Sequence, residues 1–442
     1  MRRSNLSEGV IRTNMEMTLD ERICGMKMYK LGDLCSDVVD CPHSTPEWKN
    51  EGIRVIRNFN IVNGSLDFSN GFFVDEETFE KRTQRACPEF EDLVISREAP
   101  MGAVCMIPKN LKCCLGQRLV LLKINKDVAD PNYILFAIQS QFVQKQIQII
   151  DQTGSIVSNL NIPDLKSLRI PLPSLPEQKK IASVLSAIDD KIALNKKMNQ
   201  KLEKMAKRLY DYWFVQFDFP DKNGHPYKTT GGPMTYNPTL KREIPAGWEV
   251  KKLGESVEIL KDGTHNPPLR VDNGIPLLTG TMFGDNFLDY TKATYISRED
   301  YLAIHSKYQP LENDIIITKI GTLGNVNILR DTDIPIAIHC NSALLRFKKV
   351  FGSYYPFFFC KSDLFQLRLK SVKGQSIQEF ASLDKIASVL CEIPSEEILK
   401  SFNNAVEPIM RQLIRTSKEV TRLTALRDKL LPLLMNGQVE VK

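Results

Sequence analysis

The residues of this 442-residue chain with the most chemical reach are its five histidines, its ten cysteines and two hydroxyl–cation pairs. Cysteines ligate metals when they sit a few residues apart. Here no two form a Cys-x-x-Cys pair, and Cys113 and Cys114 are adjacent, so they read as buried, reduced thiols and no metal is expected. His43 and His265 likewise have no second ligand at a useful spacing. Two readings stay open for them, a loop histidine bonded to backbone or a donor to phosphates and base edges. Ser96-Arg97 and Thr318-Lys319 each end an apolar run with a hydroxyl and a cation, followed by a glycine-bearing loop. Loops at strand ends gather binding residues on a rigid scaffold, and arginine or lysine suits phosphate or guanine edges, although a solvated surface cation fits the same pattern. With Gln117, Arg118, Thr264 and Asn341, these residues form the set of candidate DNA contacts.

Catalytic signatures are weak or missing. Asn266-Pro267-Pro268-Leu269 approaches the Asn-Pro-Pro-aromatic run of DNA amino-methyltransferases, but Leu269 stands where an aromatic would stack on a flipped base. No glycine-rich turn for a methyl donor precedes it, and no Gly-x-x-x-x-Gly-Lys-Ser/Thr loop for ATP occurs. No catalytic residue is therefore expected. The 59 basic against 53 acidic side chains, a net charge of +6, fit a polyanionic partner without requiring one. No apolar run approaches the length of a membrane span, and no apolar stretch follows the basic Met1-Arg2-Arg3, so a cytoplasmic protein without a membrane partner is expected.

The elements that must position these residues come in duplicate. Leu31-Gly32-Asp33 matches Leu253-Gly254-Glu255 at an offset of roughly 222 residues, and the same offset relates His43 to His265, Gly52 to Gly274, Asp92 to Asp314 and Gly102 to Gly324. Each copy opens with a mixed α+β segment. Leu93-Val94-Ile95, Leu119-Val120-Leu121-Leu122 and Ile315-Ile316-Ile317 read as strands, and Asp75 and Ser297 as helix N-caps. Where the framework repeats, the loops differ: Arg97-Glu98-Ala99-Pro100 faces Lys319-Ile320-Gly321-Thr322.

Each copy closes with a long helix in heptad register. The first seam runs Ile181, Leu185, Ile188, Ile192, Asn195, Asn199, Leu202 and Leu209; the second runs Phe402, Val406, Ile409, Leu413, Thr416, Val420, Leu423 and Leu430. A sustained period of 3.5 calls for a partner helix, and the other helix of this chain is the natural one, paired antiparallel about an approximate twofold axis. The turn-rich segment from Phe217 to Pro233 reads as a connector carrying the chain back along the helices.

Leu172-Pro173-Ser174-Leu175-Pro176-Glu177-Gln178-Lys179-Lys180-Ile181-Ala182, the run Trp213-Phe214-Val215-Gln216-Phe217-Asp218-Phe219-Pro220 and the later Glu243-Ile244-Pro245-Ala246-Gly247-Trp248-Glu249-Val250 resemble the specificity subunits of type I restriction-modification enzymes. The resemblance covers residues 28–442, with one departure at Glu396-Glu397-Ile398, where a Glu-Gln pair is usual. It implies two target-recognition domains, 28–176 and 250–396, each reading half of a bipartite, asymmetric DNA site. It also implies helices at 177–213 and 397–435 that set the gap and dock two modification (methyltransferase) subunits, a connector at 214–249 and a tail at 436–442. S-adenosylmethionine, ATP and Mg2+ would act in the modification and restriction subunits, with no cofactor in this chain. Residues 1–27 form an extension outside the repeat, which makes Met26 or Met28 an alternative start. Without the resemblance, a free-standing DNA-binding protein with duplicated domains, or a coiled-coil scaffold that binds no DNA, would fit the pattern too.

Overall fold

A computed structural model describes residues 27–153, 159–266, 268–284, 287–306, 308–372 and 380–441. The extension before residue 27 and Pro267 of the Asn-Pro-Pro run lie outside the described residues. The chain forms two compact units, Met1–Lys196 with Lys418–Lys442, and Lys197–Ser417.

In the first unit, four antiparallel strands lie in the order Cys35–Asp40, Leu119–Ile124, Leu93–Ser96, Val104–Met106. The continuous apolar runs arise because this sheet is covered on both faces. Alternate residues point to opposite sides of a strand. Leu93, Ile95, Val120 and Leu122 therefore join the core built on the helix Pro131–Gln139, whereas Val94, Leu119 and Leu121 pack against Ile56, Cys113 and Leu115 of a second sheet. That second sheet has the order Phe73–Val74, Ile53–Ile56, Cys113–Leu115, its last two strands parallel. A short pair, Met28–Lys30 with Arg169–Pro171, closes the domain before the long helix.

The second unit repeats this plan. Its four-stranded sheet has the order Val257–Asp262, Ser342–Phe347, Ile315–Thr318, Val326–Ile328, and its three-stranded sheet Thr294–Ile296, Ile275–Leu278, Ala337–Ile338. Glu249–Lys252 pairs with Leu390–Ile393 as the closing strands. Small details repeat as well. A Cβ on Gly52 would lie 2.5 Å from the Val74 carbonyl oxygen, and one on Gly274 2.1 Å from that of Ile296, so neither position admits a side chain. Gln144 donates to the carbonyls of Gly102 and Ile138, as Gln366 does to those of Gly324 and Cys360. Asp75 and Ser297 cap their helices by accepting from the amides of Thr78 and Asp300.

The two long helices span Leu175–Tyr210, 36 residues, and Glu396–Met435, 40 residues. Every seam residue named from the heptad pattern is buried or half-buried. Within the first unit Arg427 meets Asp189 at 3.1 Å and Asn195 donates to Glu419 at 3.0 Å, so the segments run antiparallel. Within the second, Asn199 donates to Ser417 at 3.1 Å and accepts from Thr416, beside Leu202, Leu209, Ile409 and Leu413.

The Glu-Gln pair at the first helix entrance explains itself. Glu177 accepts from the Ser174 amide and hydroxyl at 3.0 and 2.7 Å, and buried Gln178 bridges the Asp130 amide and the Pro173 carbonyl. The second entrance uses Asn403 instead, which accepts from the amides of Tyr354 and Tyr355 and donates to the Phe351 carbonyl.

The connector differs from its expected course. The first helix ends at Tyr210 in one wider turn, Asp211–Val215. Phe217, Phe219 and Ile244 then pack with Tyr210, Trp213 and Phe402, and Trp248 stacks on Phe219 at 5.6 Å. Within this unit the chain therefore folds up at the end of the helix rather than running back along it, and it includes a hairpin, Met234–Asn237 with Arg242–Pro245. Aromatic side chains make the segment a packed part of the core, which its turn residues alone did not reveal.

Buried amides in an apolar seam cost stability and fix register. Replacing Asn195 and Asn199 by Leu should raise the midpoint of thermal unfolding. Thr416 would keep its bond to the Gln412 carbonyl at 2.8 Å, so no buried hydroxyl is orphaned. Light scattering should then reveal mixed oligomers from slipped or intermolecular pairing; a more stable variant that remains a single species would contradict this role.

Candidate nucleic-acid interface

In each unit two parallel strands end side by side, Ile53–Ile56 with Cys113–Leu115 and Ile275–Leu278 with Ala337–Ile338. Other loops gather at these ends. Asn58 donates to the Ala99 carbonyl at 2.7 Å, tying in the loop after Leu93–Ser96. Gln117 donates to the His43 carbonyl and, at 3.0 Å, to the Thr45 hydroxyl, tying in the loop after Cys35–Asp40. In the second unit a Cβ on Gly280 would lie 3.9 Å from the Thr322 hydroxyl, and Thr264 exchanges backbone hydrogen bonds with Ile338 and Cys340. Four loops thus form one rim in each copy.

The rim stands on a buried ion pair. Arg97, 9% exposed, places one guanidinium nitrogen 2.9 and 2.8 Å from the two Asp40 oxygens and donates through Nε to the Leu160 carbonyl at 3.0 Å. Lys319, 4% exposed, reaches Asp262 at 2.8 Å. Burial favours the neutral Asp262 carboxyl, but the hydrogen bond and charge of Lys319, with His265 nearby, hold it below its ordinary value. The strand ladder continues one residue past the apolar run, Arg97 N donating to Arg118 O and Lys319 N to Asn341 O, which draws both cations inward. Ser96 and Thr318 are also buried, their hydroxyls donating to the carbonyls of Glu98 and Thr322. These four residues, expected at the surface, instead support the rim from below.

The remaining candidates lie on the rim. The side chains of His43 and His265 are 70% and 71% exposed, each with Nε2 near its aspartate, 3.1 Å from Asp40 and 3.3 Å from Asp262. Arg118 is exposed at a positive φ of 68° and pairs with Glu98 at 3.0 Å; Gln117 and Asn341 are half-buried, and the Thr264 hydroxyl donates to the Asn266 carbonyl. The rim also holds Arg57, Asn58, Thr279, Thr281 and His339, which the sequence reading missed. The repeat offset carried the signal, because Arg57 falls on Thr279 and so marks a strand end whose chemistry changes between copies.

Other titratable groups are structural. His305, 2% exposed, accepts at Nε2 from the Ile338 amide at 3.2 Å and steadies the strand that leads into His339. Burial depresses its pKa to about 4, and burial with neighbouring His265 lowers that of His339. Burial raises the Cys113 and Cys114 thiols to about 12 and 11, whereas Cys87 is exposed, unlike the buried thiols expected. Among the described residues no cluster of three or more His, Cys, Asp or Glu is arranged to hold a metal, and no helix is long and apolar enough to cross a membrane.

Asp40→Asn removes the counter-charge of a mostly buried arginine. It should cost about 2–3 kcal/mol, less than a fully buried pair because Asp40 is 23% exposed. His43→Ala should change stability by no more than about 0.5 kcal/mol. Hydrogen exchange at Leu93–Ser96 checks both, and equal protection in the two variants would contradict the supporting role. His305, with a folded-state pKa of about 4 against an ordinary 6.5, takes up a proton on unfolding between those values. Its contribution is therefore whole at neutral pH and is lost as pH falls from 6.5 towards 4. His305→Gln should lose less thermal stability than the native chain between pH 7.5 and pH 5; equal losses would contradict the assignment.

The family model for the type I restriction modification DNA specificity domain matches residues 24–204 and again 245–421. The chain is 30% identical over 382 residues to the type I restriction enzyme MjaIX specificity subunit of Methanocaldococcus jannaschii, covering 84% of this chain and 82% of that one. It is 23% identical over 393 residues to the HindI specificity subunit of Haemophilus influenzae, covering 74% and 81%. The crystal structure of a type I restriction-modification S subunit from M. genitalium shares the fold, with a TM-score of 0.60 at 19% identity over 93% of this chain and 96% of the other. Two matched domains, two copies of one loop rim and a paired long helix after each domain agree: the chain belongs to the specificity subunits of type I restriction-modification systems, with two target-recognition domains.

Proposed function

We propose that this chain is the non-catalytic DNA reader of its complex, each loop rim contacting one half of a bipartite, asymmetric site in double-stranded DNA. The observation that carries this reading is the four-loop rim, built twice on one framework with different side chains. Duplicate rims on a repeated scaffold suit two different half-sites, since backbone contacts position a protein and base-edge contacts specify sequence. The paired long helices would set the gap between half-sites and dock two methyltransferase subunits. Methyl transfer from S-adenosylmethionine, and cleavage using ATP and Mg2+, would belong to the modification and restriction subunits. A cytoplasmic location follows from those partners and their substrate.

The chain, purified from its native host, should bring a methyltransferase subunit with it. The complex should bind DNA with log K falling steeply against log salt, because phosphate contacts release counterions. A chain that recovers no methyltransferase, or whose DNA affinity ignores salt, would contradict the reading. Removing one heptad from each helix keeps the seam in phase and shortens the pair by about 10 Å, or about 3 base pairs of B-form DNA. The unmethylated gap should shrink accordingly; a folded variant that methylates at the original spacing would contradict the helices' role as a ruler.

A further inference from the structure

Among the described residues, Arg57 at the rim of the first domain has no counter-charge. Its guanidinium lies 5.5 Å from the ring centroid of Trp48, 5.0 Å from that of Phe59 and 4.7 Å from that of Phe72. The rings brace one another, Trp48 edge-on to Phe72 at 4.7 Å and Phe59 to Phe72 at 5.7 Å. The turn below is fixed by Asn60, 4% exposed, which accepts from the Arg57 amide at 3.0 Å and donates to the carbonyls of Asp67 and Asn70. Alongside, Arg54 packs over Phe68 and Phe73 with a buried guanidinium nitrogen that has no hydrogen-bond partner among the described residues. Arg97 and Arg118 pair with Asp40 and Glu98, but among the described residues Arg57 forms no ion pair.

The rings surround the guanidinium, and among the described residues no hydrogen bond or ion pair engages its N–H donors. Three rings and a fixed turn hold that donor fork still, at the end of a strand, beside Asn58 and the loop containing Gln117. At the equivalent place the second domain has Thr279, whose hydroxyl lies 2.9 Å from that of Thr281. A position that differs in this way between two copies of one framework is suited to discrimination rather than folding.

The geometry points to Arg57 as the residue that reads a guanine in the half-site of the first domain, donating two hydrogen bonds to O6 and N7 in the major groove. This assignment rests on the reading of the first domain as a DNA-contacting module. The Thr279–Thr281 site makes no such contact, so the two half-sites differ in their demand for guanine at the corresponding position.

The test uses the complex of the full chain with its methyltransferase, and oligonucleotides carrying its methylated site. Replacing each guanine of the first half-site by 7-deazaguanine removes N7 while keeping the base pair. One such replacement should weaken methylation by the native complex about tenfold or more, and Arg57→Gln should be indifferent to it. That variant should accept adenine at the same position, because glutamine pairs with adenine N6 and N7. The second half-site should be unchanged in both complexes. The assignment is overturned if the first half-site holds no guanine, if no 7-deazaguanine affects the native complex, or if Arg57→Gln weakens all sequences equally with a shallower salt dependence, the mark of a phosphate contact. Should Arg57→Gln fail to fold, the replacements in the native complex decide alone. A native complex that methylates no bipartite site would instead refute the domain-level reading.

Discussion

The loop rim of each domain depends on a cation drawn inward at the end of a strand. In both domains the residue after Ser96 or Thr318 extends the sheet ladder by one step, and its side chain is pulled under the loops by an aspartate two strands away in the same sheet. A charge that is nearly buried must be paired. The pair in turn fixes where the strand stops and where the loop above begins. His43 and His265, each against the same aspartate, extend this arrangement to the surface. Arginine serves in one copy and lysine in the other. Arg97 fills the space with contacts to both Asp40 oxygens and a third to Leu160, whereas Lys319 makes one contact to Asp262 and lies 5.8 Å from the ring of Phe380.

Above this support the copies diverge freely because little of the core depends on the rim. Val94 and Ile316 point into matching second cores, and Gly52 and Gly274 sit against matching carbonyls, so both frameworks hold their strand ends alike. The first rim carries a guanidinium packed among aromatic rings; the second carries hydroxyls and imidazoles. Stacked arginine and small hydroxyls ask different things of a base edge, and each choice leaves the buried layers untouched. The long helices carry their polar groups at seam positions, Asn195 bonded to Glu419 in one unit and Asn199 to Thr416 in the other.

Much of this was legible in the sequence where a period or an offset carried it. Every seam residue that the heptads name is buried or half-buried, because a period of 3.5 has one structural meaning over that length. The repeat offset predicted the matching glycines and helix caps. Two things were hidden. Ser96, Arg97, Thr318 and Lys319 looked like surface contacts, since a polar residue after an apolar strand reads as exposed unless its buried partner, distant in sequence, is known. Asp40 is that partner for Arg97, and no local pattern links them. The connector was hidden for the opposite reason: its prolines and glycines masked Phe217, Phe219 and Trp248, whose stacking appears only when the turns bring them together.

The central claim is that one framework presents two different readers, and exchanging them tests it most directly. A chimera with residues 250–395 in place of 28–174 keeps both junctions at equivalent positions of the repeat, so its cores should survive. Two identical readers on one duplicated scaffold should convert an asymmetric target into a palindrome, as protein symmetry is mirrored in DNA symmetry. Mapping methylated adenines with the chimera and its methyltransferase partner should therefore return a palindrome of the original second half-site. Retention of the original first half-site by a folded complex would show that residues 28–174 do not read it.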